Sequence, residues 1–247
     1  MATSSLTVHQ RAARSLVVSK YVMAISGILM IGFLIAHMLG NLHIFGGREE
    51  FNHYAEGLRE FGMPILPYGG LLWIMRPVLV IAVVAHIWSA VRLTRRDRAA
   101  RGSGKRYQST QHRRGVQRTY ASFTMRWGGV TIALFVIYHL LQFTLLPKLA
   151  LNPATDGVFP GSSNPDPYER TVTGFMVWWV VLIYTVAILA LGMHLRHGVY
   201  SAIATLGLIK RPIGRTRALA GAAAFALLLC LGFLIPPFAV LFGVVSL

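Results

Sequence analysis

The sequence predicts an all-α integral membrane protein, a bundle of five transmembrane helices. Three observations predict it. Five apolar runs each reach the about 20 residues needed to span ~30 Å of hydrocarbon. Hydrophobic residues make up 55% of the 247-residue chain and charged residues only 13%, against about 25% in a soluble domain. The basic residues are confined between the apolar runs, whereas a nucleic-acid binder spreads them over a water-facing fold. The net charge of +16 therefore reads as membrane topology and contact with anionic lipid, with no nucleic-acid partner. The whole chain, 1–247, reads as one membrane domain.

The predicted spans are about 21–44, 70–93, 126–147, 172–196 and 218–243. The first follows a basic N-terminus, as a signal h-region does. It is longer than an h-region and has no cleavage site before a soluble domain, so a retained helix is expected. The 45–69 segment is polar at its centre, where a short amphipathic helix on the outer surface is expected. The 95–118 stretch lacks apolar periodicity and reads as a solvated loop or a docking surface for an acidic partner. The 148–171 segment, rich in Pro, Asn, Ser and Gly, predicts an irregular outer connection. Pro236 and Pro237 are expected to kink or end the fifth helix.

Charge sets the direction of the spans. The N-terminus and the 92–126 and 196–217 connections hold 19 of the 24 basic residues and, of the acids, only Asp97. The opposite face holds Arg48, Arg59, Arg76, Lys148 and Arg170 with the seven other acids. The balance of +18 against −2 places the N-terminus in the cytoplasm and the C-terminus outside.

Four successive spans carry a histidine: His37, His86, His139 and His194. Ionisable groups inside a bilayer are costly and mark function. At 1.5 Å per residue, His37 lies ~25 Å and His139 ~20 Å above the cytoplasmic edge, while His86 lies about 9 Å from Arg92. His194 stands beside Arg196. The histidines thus fall into an outer pair, His37 with His139, and an inner pair, His86 with His194. Neutral imidazole is an axial ligand for haem iron, and each pair comes from two parallel helices, as bis-histidine ligation requires. His9, His112, His53 and His43 read as ordinary polar or interfacial residues. His197 shares a face with His194, as an alternative ligand or a partner of a haem propionate. Gly128, Gly129, Gly174 and Gly192 permit close helix packing or leave room for a porphyrin. Cys230 is the sole cysteine. It excludes an internal disulfide and a Cys-x-x-Cys site. A Rieske centre needs two Cys and two His.

The stretches AISGILMIGFLIAHMLGNLHIF, EFNHYAEGLRE, RPVLVIAVVAHIWSA, TMRWGGVTIALFVIYHLLQF and ALGMHLRHGVYSAIATLG span most of the chain from Lys20 to Leu208. Here the sequence resembles the cytochrome b membrane anchor of succinate:quinone oxidoreductases (succinate dehydrogenase), in the five-helix, dihaem, actinobacterial-like form. The resemblance implies two haems b on His37, His139, His86 and His194; the His-x-x-x-Gly pattern selects His194 with Gly198 over His197. It implies a bacterial cytoplasmic membrane and two partners on the cytoplasmic face. These are a flavoprotein with FAD and an iron–sulfur protein; a further small anchor protein is left open. Electrons from succinate would pass to the inner haem, then the outer haem, then a quinone, menaquinone in this branch. For a quinone site at the outer haem the candidates are Asn41, His53, Glu56, Glu60 and Tyr68; at an inner site they are Arg14, Ser19 and Trp88. Arg92, Arg126 and Arg196, with His197, are candidate propionate partners.

Two alternatives stand beside this reading. A dihaem anchor of fumarate reductase or of another quinone-linked oxidoreductase has the same features. A proton-coupled transporter, with the histidines as a relay, predicts interrupted helices and intramembrane acids, yet no Asp or Glu lies inside a predicted span.

Overall fold

The computed structural model describes residues 16–100, 116–145, 166–209 and 212–247. His9, Arg11, Arg14, the basic stretch 101–115 with His112, and residues 146–165 with Lys148 lie outside the described residues. The described elements are all helical. In order they are α1 (Leu16–Leu42), a 3₁₀ turn (His43–Gly46), α2 (Gly47–Glu60), α3 (Gly70–Ala100) and α4 (Val116–Leu140). A π turn (Leu141–Leu145), α5 (Pro167–Phe175), α6 (Trp178–Thr205) and α7 (Pro212–Leu241) complete the chain. By length and composition, α1, α3, α4, α6 and α7 can cross a membrane.

The helices outrun their apolar cores. Helix α3 continues through Arg92, Arg95, Arg96 and Arg98, because arginine is a good helix former and the polar interface does not end a helix. The solvated loop expected over 95–118 is therefore helical up to Ala100 and again from Val116. The amphipathic helix expected after the first span is α2.

The boundary between the 148–171 connection and the fourth span differs from expectation. The 148–171 connection already contains the start of α5 at Pro167. Asp166 caps that helix, its Oδ1 accepting from the Glu169 N–H at 2.8 Å, with Pro167 in the first turn. An acid cap, a proline at the first helical position and an acid three residues after the cap form a helix-start signal. Val177 then adopts an extended conformation, so the fourth span begins at Trp178, not near 172.

Of the two effects expected at Pro236 and Pro237, an end of the helix is not found: α7 runs through both and finishes at Leu241, within the expected 218–243 span. Membrane bundles tolerate prolines because neighbouring elements compensate for the lost backbone bonds, and both prolines are buried. Its end is closed at Gly243, where φ is +73°. There Val244 N–H reaches Ala239 O at 2.8 Å and Gly243 N–H reaches Val240 O at 3.0 Å. That pair of bonds is the Schellman motif, which needs a left-handed residue.

Helix α6 is the centre of the packing, in contact with α4, α7 and α1, while α3 lies on α1. Its buried face includes Val180, Val181, Tyr184, Ala187, Ile188 and Leu195. Outward-facing Ile25, Val80, Leu134 and Leu228 are each at least 60% exposed, a surface suited to lipid. With no hydrophobic drive between helices in lipid, small residues permit close approach. A Cβ placed on Gly192 would collide with Cys230 Sγ on α7.

One end of the bundle is closed by α2, α5 and the C-terminal tail, with Ile44, Phe51, Tyr168, Val172 and Val245 in one core. Arg48 of α2 bridges Asp166 at 2.7 Å and Glu169 at 3.1 Å. The Asn52 side chain accepts from the Tyr168 N–H at 3.0 Å, and the Tyr168 hydroxyl donates to Ser246 O at 2.8 Å. Partial burial works to raise the Asp166 carboxyl. The Glu169 N–H, the Arg48 guanidinium and the Asn52 amide more than offset it and hold the carboxyl below the usual carboxylate range.

Candidate functional site

The four span histidines meet as two pairs across the bundle. His37 of α1 and His139 of α4 face each other edge to face, ring centroids 5.7 Å apart, at the end closed by α2. His86 of α3 and His194 of α6 are tilted at 58°, centroids 6.2 Å apart, toward the opposite end. Each pair joins helices that are not closely packed. Among the described residues, α1 with α4 and α3 with α6 are absent from the tightly contacting helix pairs. The rings meet through side chains that extend from helices packed mainly against other neighbours.

Around the first pair the walls are aromatic. Phe33 stacks on His37 at 5.4 Å, and Phe233 lies 5.9 Å from it. Phe135 and Phe143 flank His139 at 5.9 and 5.4 Å. His139 Nδ1 lies 2.9 Å from the Tyr184 hydroxyl, which donates to Gln142 Oε1 at 2.9 Å. Gln142 belongs to the π turn, a local widening that occurs often at functional sites.

Around the second pair, His86 Nδ1 lies 3.2 Å from Met23 O and 3.3 Å from Ser26 Oγ. Ser26 in turn donates to Val22 O at 2.7 Å. His194 Nδ1 is buried and lacks a hydrogen-bond partner. Glycines border these rings. A Cβ on Gly27 would stand 3.5 Å from His86 Cε1, and one on Gly129 would stand 3.8 Å from His194 Cε1.

The remaining candidates divide between the two ends. Glu56 and Tyr68 are joined, the hydroxyl donating to Oε1 at 2.7 Å, and Arg59 lies 3.4 Å from Glu56 Oε2. That bond first, then burial, raises the Tyr68 phenol above its ordinary range. His53 and Glu60 are exposed on the same helix, and Asn41 is half-buried near the end of α1. His43 is occupied by Glu50 at 2.9 Å and stacks on Tyr54 at 4.4 Å. At the opposite end, Arg92 lies over the Trp88 ring at 5.0 Å. Arg126 and Arg196 are exposed, and Ser19 is fully buried. His197 is exposed and lines a cavity of about 430 Å³ with Lys20, Tyr21 and Tyr200. Beside His139, the groups that sequence reasoning passed over are Tyr184 and Gln142. Only the meeting of α4 with α6 reveals them.

A family model described as the succinate dehydrogenase/fumarate reductase transmembrane subunit matches residues 105–233. The chain belongs to this family. The match takes in His139 and His194, while His37 and His86 precede it. No curated protein and no solved structure gave a match. As a member of this family, the chain is a multi-pass membrane subunit of an oxidoreductase complex.

Proposed function

We propose that the chain is the dihaem cytochrome b anchor of a succinate dehydrogenase of the actinobacterial-like, five-helix type. It binds the flavoprotein and the iron–sulfur protein on the cytoplasmic side of a bacterial membrane. It carries electrons from succinate oxidation to a quinone, menaquinone in this reading. His37 and His139 would hold one haem b, His86 and His194 the other. A bound haem supplies one-electron redox chemistry whose potential the protein tunes.

The observation that carries this reading is the spacing of the two pairs. An imidazole nitrogen lies about 2.0 Å from a metal it holds, so two rings sharing a metal would stand roughly 6 Å apart. The observed values are 5.7 and 6.2 Å. The chain's own groups support it further. Met23 O and the Tyr184 hydroxyl hold two of the rings through Nδ1, as outer partners of ligand histidines do. With Nδ1 so engaged, Nε2 would be the nitrogen left for a metal. Arg92, Arg126, Arg196 and His197, at the arginine-rich end, would meet propionates. Asn41, His53, Glu56, Glu60 and Tyr68, at the other end, would face the quinone; Glu56 with Tyr68 pairs a proton acceptor with a donor.

The fumarate reductase reading rests on the family description, which names both enzymes. The test is purification of the complex through this chain, followed by identification of the co-purifying proteins and rates in both directions. Co-purification of a flavoprotein and an iron–sulfur protein, with succinate oxidation faster than fumarate reduction, is expected. Recovery of the folded chain with neither partner would overturn the proposal.

A further inference from the structure

His86 and His139 both use Nδ1 for a hydrogen bond, but by different devices. At His86 an acceptor is a main-chain carbonyl, Met23 O, which cannot change role. At His139 the partner is a hydroxyl, which can accept or donate. What fixes its role is the next group in line. Tyr184 donates its proton to Gln142 Oε1, so its oxygen is left to accept from His139 Nδ1 at 2.9 Å. Tyr184 is 5% and Gln142 4% exposed, so bulk water does not compete for these bonds.

We infer that Gln142 acts through Tyr184 to hold His139 in its Nδ1–H tautomer, keeping Nε2 as the lone-pair nitrogen. Gln142 and Tyr184 are positioning residues. The π turn places the Gln142 amide one turn beyond His139 and beside Tyr184. With Gln142 gone, the Tyr184 proton has lost its acceptor and turns to His139 Nδ1. The imidazole proton then moves to Nε2, and the ring can no longer offer that nitrogen to a metal. The tautomer itself is independent of haem; its consequence for ligation rests on the function proposed above.

The test is solid-state nitrogen NMR of the full chain in lipid bilayers, labelled at histidine and prepared without haem. The His139 signal is assigned by its loss in His139→Ala. Nδ1–H with an unprotonated Nε2 is expected in the wild type. Gln142→Leu should reverse the tautomer, Tyr184→Phe should abolish the preference, and the double variant should behave as Tyr184→Phe. The His86 signal should stay unchanged in all three, which a merely structural loss would not allow. A wild-type His139 protonated at Nε2, or one that keeps Nδ1–H in every variant, would overturn the inference. Haem addition then separates the two proposals. The expected tautomers with no haem uptake by the wild type would count against the haem reading alone. With uptake, Gln142→Leu should weaken one haem by about 10–100-fold and leave the other in place.

Discussion

The rings of His37 and His139 stand 5.7 Å apart although α1 and α4, which carry them, are not among the closely packed helix pairs of the described residues. The same relation holds for His86 and His194 at 6.2 Å.

Gly27 borders His86, with room for a methyl group at 3.5 Å. Gly27→Ala should leave haem content unchanged. Gly27→Phe should fill the space beside the His86 ring and remove one of the two proposed haems. Pyridine haemochrome analysis of the two variants checks this.

Gly192 allows α6 to approach Cys230 of α7. Gly192→Ala should destabilise the bundle by about 1–3 kcal/mol, as overpacking does. Adding Cys230→Ala should recover most of the loss, because the colliding Sγ is gone. Thermal unfolding in detergent of the single and double variants measures the coupling.

Arg48 ties α2 to α5 through Asp166 and Glu169. The Asp166 carboxyl is depressed in the folded state. Its contribution is therefore fully present above the unfolded value, about 3.9, and is lost as pH falls through the folded value. Hydrogen exchange of α5 should accelerate across that acid window in the wild type. In Asp166→Asn, exchange should be faster at neutral pH and lose this acid dependence.

Much of this was legible in the sequence, for identifiable reasons. The five spans follow from apolar runs whose length the bilayer fixes. The sorting of four histidines into two levels follows from a constant rise per residue, and their rings do meet in those combinations. The start of α5 was written in Asp166, Pro167 and Glu169, but the surrounding Pro, Asn, Ser and Gly masked it. Pro236 and Pro237 do not end α7, because neighbouring elements in a buried membrane setting compensate for the lost backbone bonds. Tyr184 and Gln142 were invisible. Their role depends on which faces of α4 and α6 meet, and periodicity within one helix does not determine that.

The most direct test of the central claim is haem stoichiometry in the purified complex, from reduced-minus-oxidised spectra and pyridine haemochrome quantitation. Two haems b per chain are predicted in the wild type and one in each of His37→Ala, His139→Ala, His86→Ala and His194→Ala. Loss should follow the pairs, so that the first two variants lack the same spectral component and the last two lack the other. A folded, succinate-oxidising complex with no haem, or one whose haem is indifferent to these four substitutions, would contradict the account.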